Sequence, residues 1–145
     1  MSTTNEGILI RISGPVLDVL FEDAENEPQV NDLLVTEDGR HMEVAANISP
    51  GVVRCVALEA TDGLSCGLAV INTGNPITVS VGQEVLGRVV DVLGRPIDDG
   101  GPIKSKDSWS IHRNAPEFTE LTPVAEFFET GIKVIDLITP DRKST

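Results

Sequence analysis

Lys143-Ser144-Thr145 carries the closing letters of a phosphate cradle, G-x-x-x-x-G-K-[ST]. In such a cradle consecutive backbone N–H groups at a helix start hold phosphates, Lys neutralises them and the hydroxyl reaches magnesium. No Gly stands immediately before Lys143 and the full string occurs nowhere in the chain, so these residues read as a terminus. Gly82 to Gly87 and Gly94 to Gly101 lack the G-x-G-x-x-G spacing of a dinucleotide loop and read as turn glycines. Asp98-Asp99 could be paired with Glu22-Asp23 or with Asp91 as an acid–base couple or a calcium site. The spacing is not that of a calcium loop, and acidic clusters of this kind are read as solvated loops. His41 and His112 have no candidate nucleophile at a fixed spacing. Cys55 and Cys66 have no His or Cys companion at zinc-ligand spacing and are read as two small buried thiols, a disulfide being the alternative in an oxidising compartment. No catalytic, cofactor-binding or metal-ligating residue is assigned.

The charge balance narrows the partners. With 23 acidic against 11 basic residues the net charge is −12, a field that repels phosphate backbones and anionic membrane surfaces. Nucleic acid and direct membrane insertion are therefore not expected. No stretch approaches the ~18 apolar residues of a membrane span, and Met1 to Gly7 has neither a basic region nor a sustained apolar run, so the chain reads as soluble and unprocessed. Aromatics are only 3 % of the chain, which leaves Val, Ile and Leu to fill a core.

Those residues occur in short alternating runs. Ile8 to Ile12, then Val16 to Phe21, flank Ser13-Gly14-Pro15 as strand, turn and strand, with Leu17, Val19 and Phe21 on one face and Asp18 on the other. Glu22 to Gln29 is a solvated loop. Asp32 to Thr36 and His41 to Ile48 flank Asp38-Gly39, a strong hairpin signal. Val52 to Leu58, Leu68 to Ile71 and Ile77 to Val81 continue the pattern. The fold class expected is mainly β: a small antiparallel β-barrel at residues 1–79, followed at 80–145 by the incomplete start of a P-loop α/β nucleotide-binding domain.

In that second part Val85 to Leu93 predicts one apolar strand. Lys104 to Thr122 reads as extended connector, and packing is expected to be poor from about residue 104 onward. Thr122-Pro123 can start a helix, with Glu126 near its positive end, while Ile132 to Ile138 is too short to decide between helix and strand.

The chain resembles the amino-terminal third of the catalytic β subunit of F-type ATP synthases. Ser13 to Phe21 resembles that family's opening strand pair, and His41-Met42-Glu43-Val44-Ala45 its "LEVA" strand. Thr61 to Gly67 resembles the TEGLVRG turn, and Val81 to Val89 the PVG-x-x-x-LGR segment that leads into the nucleotide-binding domain. Gly94 to Asp98 with Gly101-Pro102-Ile103, His112 to Phe118, and Glu129 to Leu137 follow in the family's order and spacing. Noncatalytic α subunits, vacuolar-type subunits and flagellar or secretion export ATPases share the Gly94 to Asp98 pattern, whereas His112 to Phe118 and Thr130 to Leu137 favour β.

The departures are Cys66 for the family's usual Arg, Ser80 for its usual Pro, and Pro140 to Thr145 in place of the Pro-Tyr that leads to the P-loop. The resemblance implies a barrel that joins α-subunit barrels in the crown of a rotary ATP synthase, with other synthase subunits as further partners. It implies a cytoplasmic location, peripheral on the inner face of the bacterial membrane. Mg-ATP or ADP is implied only for the full-length relative, whose general base, magnesium ligand and adenine-packing aromatics lie beyond the matching region. No cofactor is expected in this chain, which alone is expected to be inactive. The alternatives are a free-standing β-barrel interaction module or remnant derived from a β subunit, and a fragment of an export ATPase.

Overall fold

A computed structural model describes residues 6–22, 27–117, 119, 126–139 and 141–143. The chain divides into two compact units, Met1–Arg113 and Asn114–Thr145.

The period-two runs become six antiparallel strands: β1 (Glu6–Ser13), β2 (Val16–Phe21), β3 (Asp32–Thr36), β4 (His41–Ser49), β5 (Val52–Ala57) and β6 (Ala69–Pro76). They close into a barrel in the order β1-β2-β5-β4-β3-β6, with β6 returning to β1. Closure pairs both edges of every strand, which removes the exposed amides that invite aggregation. The expected barrel is thus present.

Alternation builds the core. Leu9, Leu17, Val19, Phe21, Leu34, Met42, Val44, Val53, Cys55 and Val70 point inward and are almost fully buried, with Ile12, Ala57, Leu64 and Leu68 packed against them. Each such apolar side chain contributes roughly 1.5–3 kcal/mol of burial, so the barrel is stabilised without a large aromatic content. The turn between β4 and β5 needs Gly51. Its φ is +77°, and a Cβ there would lie 2.6 Å from the Phe21 carbonyl oxygen. Phe21 N–H in turn donates to the Gly51 carbonyl at 2.7 Å, tying this turn to the end of β2.

The next strand departs from the barrel. β7 (Thr78–Val81) pairs antiparallel with β8 (Asp107–Ser110) in a separate two-stranded ribbon. Ile77, at the junction, is 1 % exposed, and its carbonyl accepts from Ile111 N–H at 3.1 Å. Residues 107–111 therefore hold to the first unit, contrary to the expectation of loose packing from 104 onward. The Asp107–Ser110 run has no apolar period of its own, and its strand exists because β7 offers a free edge.

The strand expected over Val85 to Leu93 is not formed. Gln83–Val85 is a short 3₁₀ turn, and only Val90 makes a bridge, with Pro96. Carboxylates take the amides that a ladder would have used: Asp98 accepts from Val89 N–H at 3.0 Å, and Asp91 accepts from Leu93 and Arg95 N–H at 3.0 and 2.8 Å. β-branched composition predicted a strand, and local side-chain hydrogen bonding won.

In the second unit β9 (Glu126–Phe128) pairs with β10 (Asp141–Lys143), and α1 (Lys133–Ile138) settles the undecided segment as helix. Thr122-Pro123 lies outside the described residues. Glu126, expected near a helix start, is extended because its strand pairs with β10. Helix α1 buries no residue, and Phe127, Phe128, Ile132, Val134, Ile135, Leu137 and Ile138 are all between 37 and 84 % exposed.

Candidate functional site

Two of the carboxylates that could have formed an acid–base pair, Asp98 and Asp91, are committed to structure. Asp98 receives Arg88 Nε at 2.6 Å and Nη2 at 2.9 Å, while the same Nη2 donates to the Gly101 carbonyl at 2.7 Å. The Arg88 guanidinium, with Val89 and Gly100 N–H, holds the Asp98 carboxyl well below the usual carboxylate range. This is a clamp that closes the 88–101 loop, with no lone pair left to take a proton at neutral pH. Asp91 pairs with Arg95 at 3.0 Å, and Arg95 reaches Glu59 at 2.7 Å. Glu59 also accepts from His41 N–H at 2.9 Å and faces its Nδ1 at 3.2 Å. The Arg95 guanidinium, then the His41 amide, lower the Glu59 carboxyl to about 2. Glu22 follows directly on the end of β2, and Asp23 lies outside the described residues.

His112 Nε2 contacts Glu43 on β4, which fastens the segment after β8 to the barrel wall. Among the described residues each histidine ring faces a carboxylate, His41 that of Glu59 and His112 that of Glu43. Cys55 and Cys66 are both free thiols. Cys55 is buried as expected, and burial pushes its thiol up to about 12, so it is inert as a nucleophile. Cys66 is exposed, which corrects the expectation of two buried thiols: it lies in the turn before β6, where Gly67 rather than Cys66 bonds back to β1.

No group of three or more His, Cys, Asp or Glu among the described residues could hold a metal ion. The second unit has an open cleft of about 260 Å³ lined by Phe127, Phe128, Glu129 and Asp136. Its two carboxylates disfavour a phosphate ligand, and Asp136 is already saturated by Thr130 N–H, Thr130 Oγ1 and Gly131 N–H at 3.0, 2.6 and 3.1 Å. Lys143 lies on β10, so it is not part of a phosphate loop, and Ser144 and Thr145 lie outside the described residues.

What remains is a surface. On the outer wall of β1, β2 and β5 the register stacks three rows across the strands: Ile8-Leu20-Val52, Arg11-Asp18-Arg54 and Ser13-Val16-Val56. Asp18 faces outward, yet it is only 6 % exposed. Arg54 covers it with two hydrogen bonds, Nε at 2.8 Å and Nη2 at 3.0 Å, and Arg11 stands 3.8 Å away on the other side. The Arg54 hydrogen bonds keep the Asp18 carboxyl ionised below its ordinary range, against the opposing effect of burial. The row is thus +1 in a chain of net charge −12. The sequence placed Asp18 on the outer face of β2. Its arginine partners, one of them 36 residues away, could be found only once the strand register was known.

Residues 9–74 match the model of the ATP synthase alpha/beta family, beta-barrel domain. The matched stretch begins inside β1 and ends inside β6, so the likeness to that family falls on the six closed strands. No helix among the described residues is long and apolar enough to cross a membrane.

Proposed function

We propose that this chain supplies the crown barrel of an F-type ATP synthase β subunit, and that it acts by lateral association with α-subunit barrels and not by catalysis. The observation that carries this is the closed six-stranded barrel, matched over residues 9–74 to the ring-assembling domain. The choice of β over α rests on the His112 to Phe118 and Thr130 to Leu137 runs, which resemble the β subunit.

Residues 80–145 act as the opening part of a nucleotide-binding domain. The apolar side chains of the second unit, from Phe127 to Ile138, are surfaces that the remainder of such a domain would cover. No phosphate-loop string is present in the sequence, and the carboxylates already spend their lone pairs on arginines and backbone amides. Mg-ATP binding therefore belongs to the full-length relative. In a cell the chain would sit at the cytoplasmic side of the bacterial membrane as a peripheral part of the complex.

Capture with the immobilised full chain tests the partner. Purified α subunits of an F-type synthase should be retained while β subunits and an unrelated acidic barrel are not. Retention of β subunits in preference to α would make this an α-type barrel. Retention of neither at ~100 μM, where an interaction of about 5 kcal/mol would show, would remove the assembly role.

A further inference from the structure

The inference concerns where on the barrel the neighbour sits, and it rests on the assembly role just proposed. We infer that the outer wall of β1, β2 and β5 is the docking face. Its partner is a ring-subunit barrel that presents a carboxylate bracketed by apolar side chains.

Three observations converge on this wall. First, its strands expose Ile8 at 44 %, Leu20 at 37 % and Val56 at 40 %, apolar side chains on either side of the charged row that a seated partner would cover. Second, between these side chains runs the Arg11-Asp18-Arg54 row. Asp18 is consumed by Arg54, while Arg11 is 65 % exposed and makes only the 3.8 Å contact, so the row ends in an unspent guanidinium aimed outward. An unspent planar donor set of this kind suits bidentate pairing with a carboxylate. Third, the row is locally cationic in a chain of net charge −12, so it offers an acidic partner a place of opposite sign. A closed ring also requires head-to-tail contacts, with two different faces on each barrel. This wall, with its cationic row, is assigned as one of them.

The chemistry is that of an interface centre: a charge row with the apolar row Ile8-Leu20-Val52 on one side and Val16 and Val56 on the other, from which water is excluded when the partner seats. Arg11 is then the specificity-determining residue, since it alone in the row is free to pair. Asp18 and Arg54 act through it by holding the row in register.

Calorimetric titration of the full chain with α subunits of an F-type synthase tests the assignment. Arg11→Glu and Ile8→Glu should each weaken association by at least about tenfold, with circular dichroism and unfolding temperature close to those of the unmodified chain. Val30→Glu is the control: Val30 is 51 % exposed and precedes β3, which lies opposite β2 in the closed strand order. It should bind as the unmodified chain does. If the unmodified chain binds and Arg11→Glu binds equally well, the face is wrong while the assembly role stands. The same holds if Val30→Glu alone loses affinity. If the unmodified chain does not bind, the assembly role fails and takes this docking face with it.

Discussion

Glu59 ties two parts of the first unit together through one carboxylate: the start of β4 through the His41 amide and ring, and the 88–101 loop through Arg95. Its folded-state carboxyl is lowered from 4.5 to about 2. A group depressed in this way contributes stability that is present above its unfolded value and lost as pH falls from about 4.5 toward 2. Asp98, lowered by Arg88, adds loss in the same direction. Acid unfolding followed by far-ultraviolet circular dichroism should therefore show stability falling steadily below pH ~4.5. Glu59→Gln should be less stable than the parent at pH 7 and should lose less on acidification. A variant whose stability tracks the parent at every pH would show that the Glu59 pairs contribute nothing. None of these pairs was legible in the sequence. Glu59, Arg95 and His41 are brought together only by barrel closure and by the 88–101 loop, and neither leaves a mark on local spacing.

The elements were legible where a strand has one wet and one dry face. Leu17, Val19 and Phe21 against Asp18 and Leu20 announce β2, and the Asp38-Gly39 turn announces the β3–β4 hairpin. Where the chain satisfies its amides with its own side chains, composition misleads, as at Val85 to Leu93 with Asp91 and Asp98. Where a strand is induced by its neighbour, as β8 by β7, period and propensity are silent. The turns give a sharper test of the element-level account. Gly14 and Gly51 both have positive φ, but a Cβ at Gly14 would meet nothing within 4 Å, whereas at Gly51 it would strike the Phe21 carbonyl at 2.6 Å. Gly14→Ala should then cost only the backbone strain, about 1 kcal/mol, and Gly51→Ala that strain plus a displaced turn, about 2–4 kcal/mol in all. Urea unfolding of the two variants measures the difference. Equal costs would mean that the β4–β5 turn does not pack on the end of β2 as described.

At the scale of the whole molecule, the family resemblance was carried by short runs spread from Ser13 to Leu137, while the family match covers the barrel, residues 9–74. The barrel's strands pair among themselves, so its backbone groups are satisfied without help from the rest of the chain. The second unit contrasts with it, since its helix buries nothing and the large apolar side chains among its described residues are exposed. On the proposed reading the working surface is the barrel wall, and no phosphate-loop string occurs in the sequence. The chain's association should thus be indifferent to nucleotide. The central claim, assembly through the barrel without a nucleotide site, is tested most directly by titrating α subunits into the full chain by calorimetry, with and without saturating Mg-ATP. The account predicts one-to-one binding detectable by ~100 μM with the same affinity in both conditions, and no heat from Mg-ATP added to the chain alone. Binding that appears only with nucleotide, or micromolar uptake of Mg-ATP by the chain itself, would contradict it.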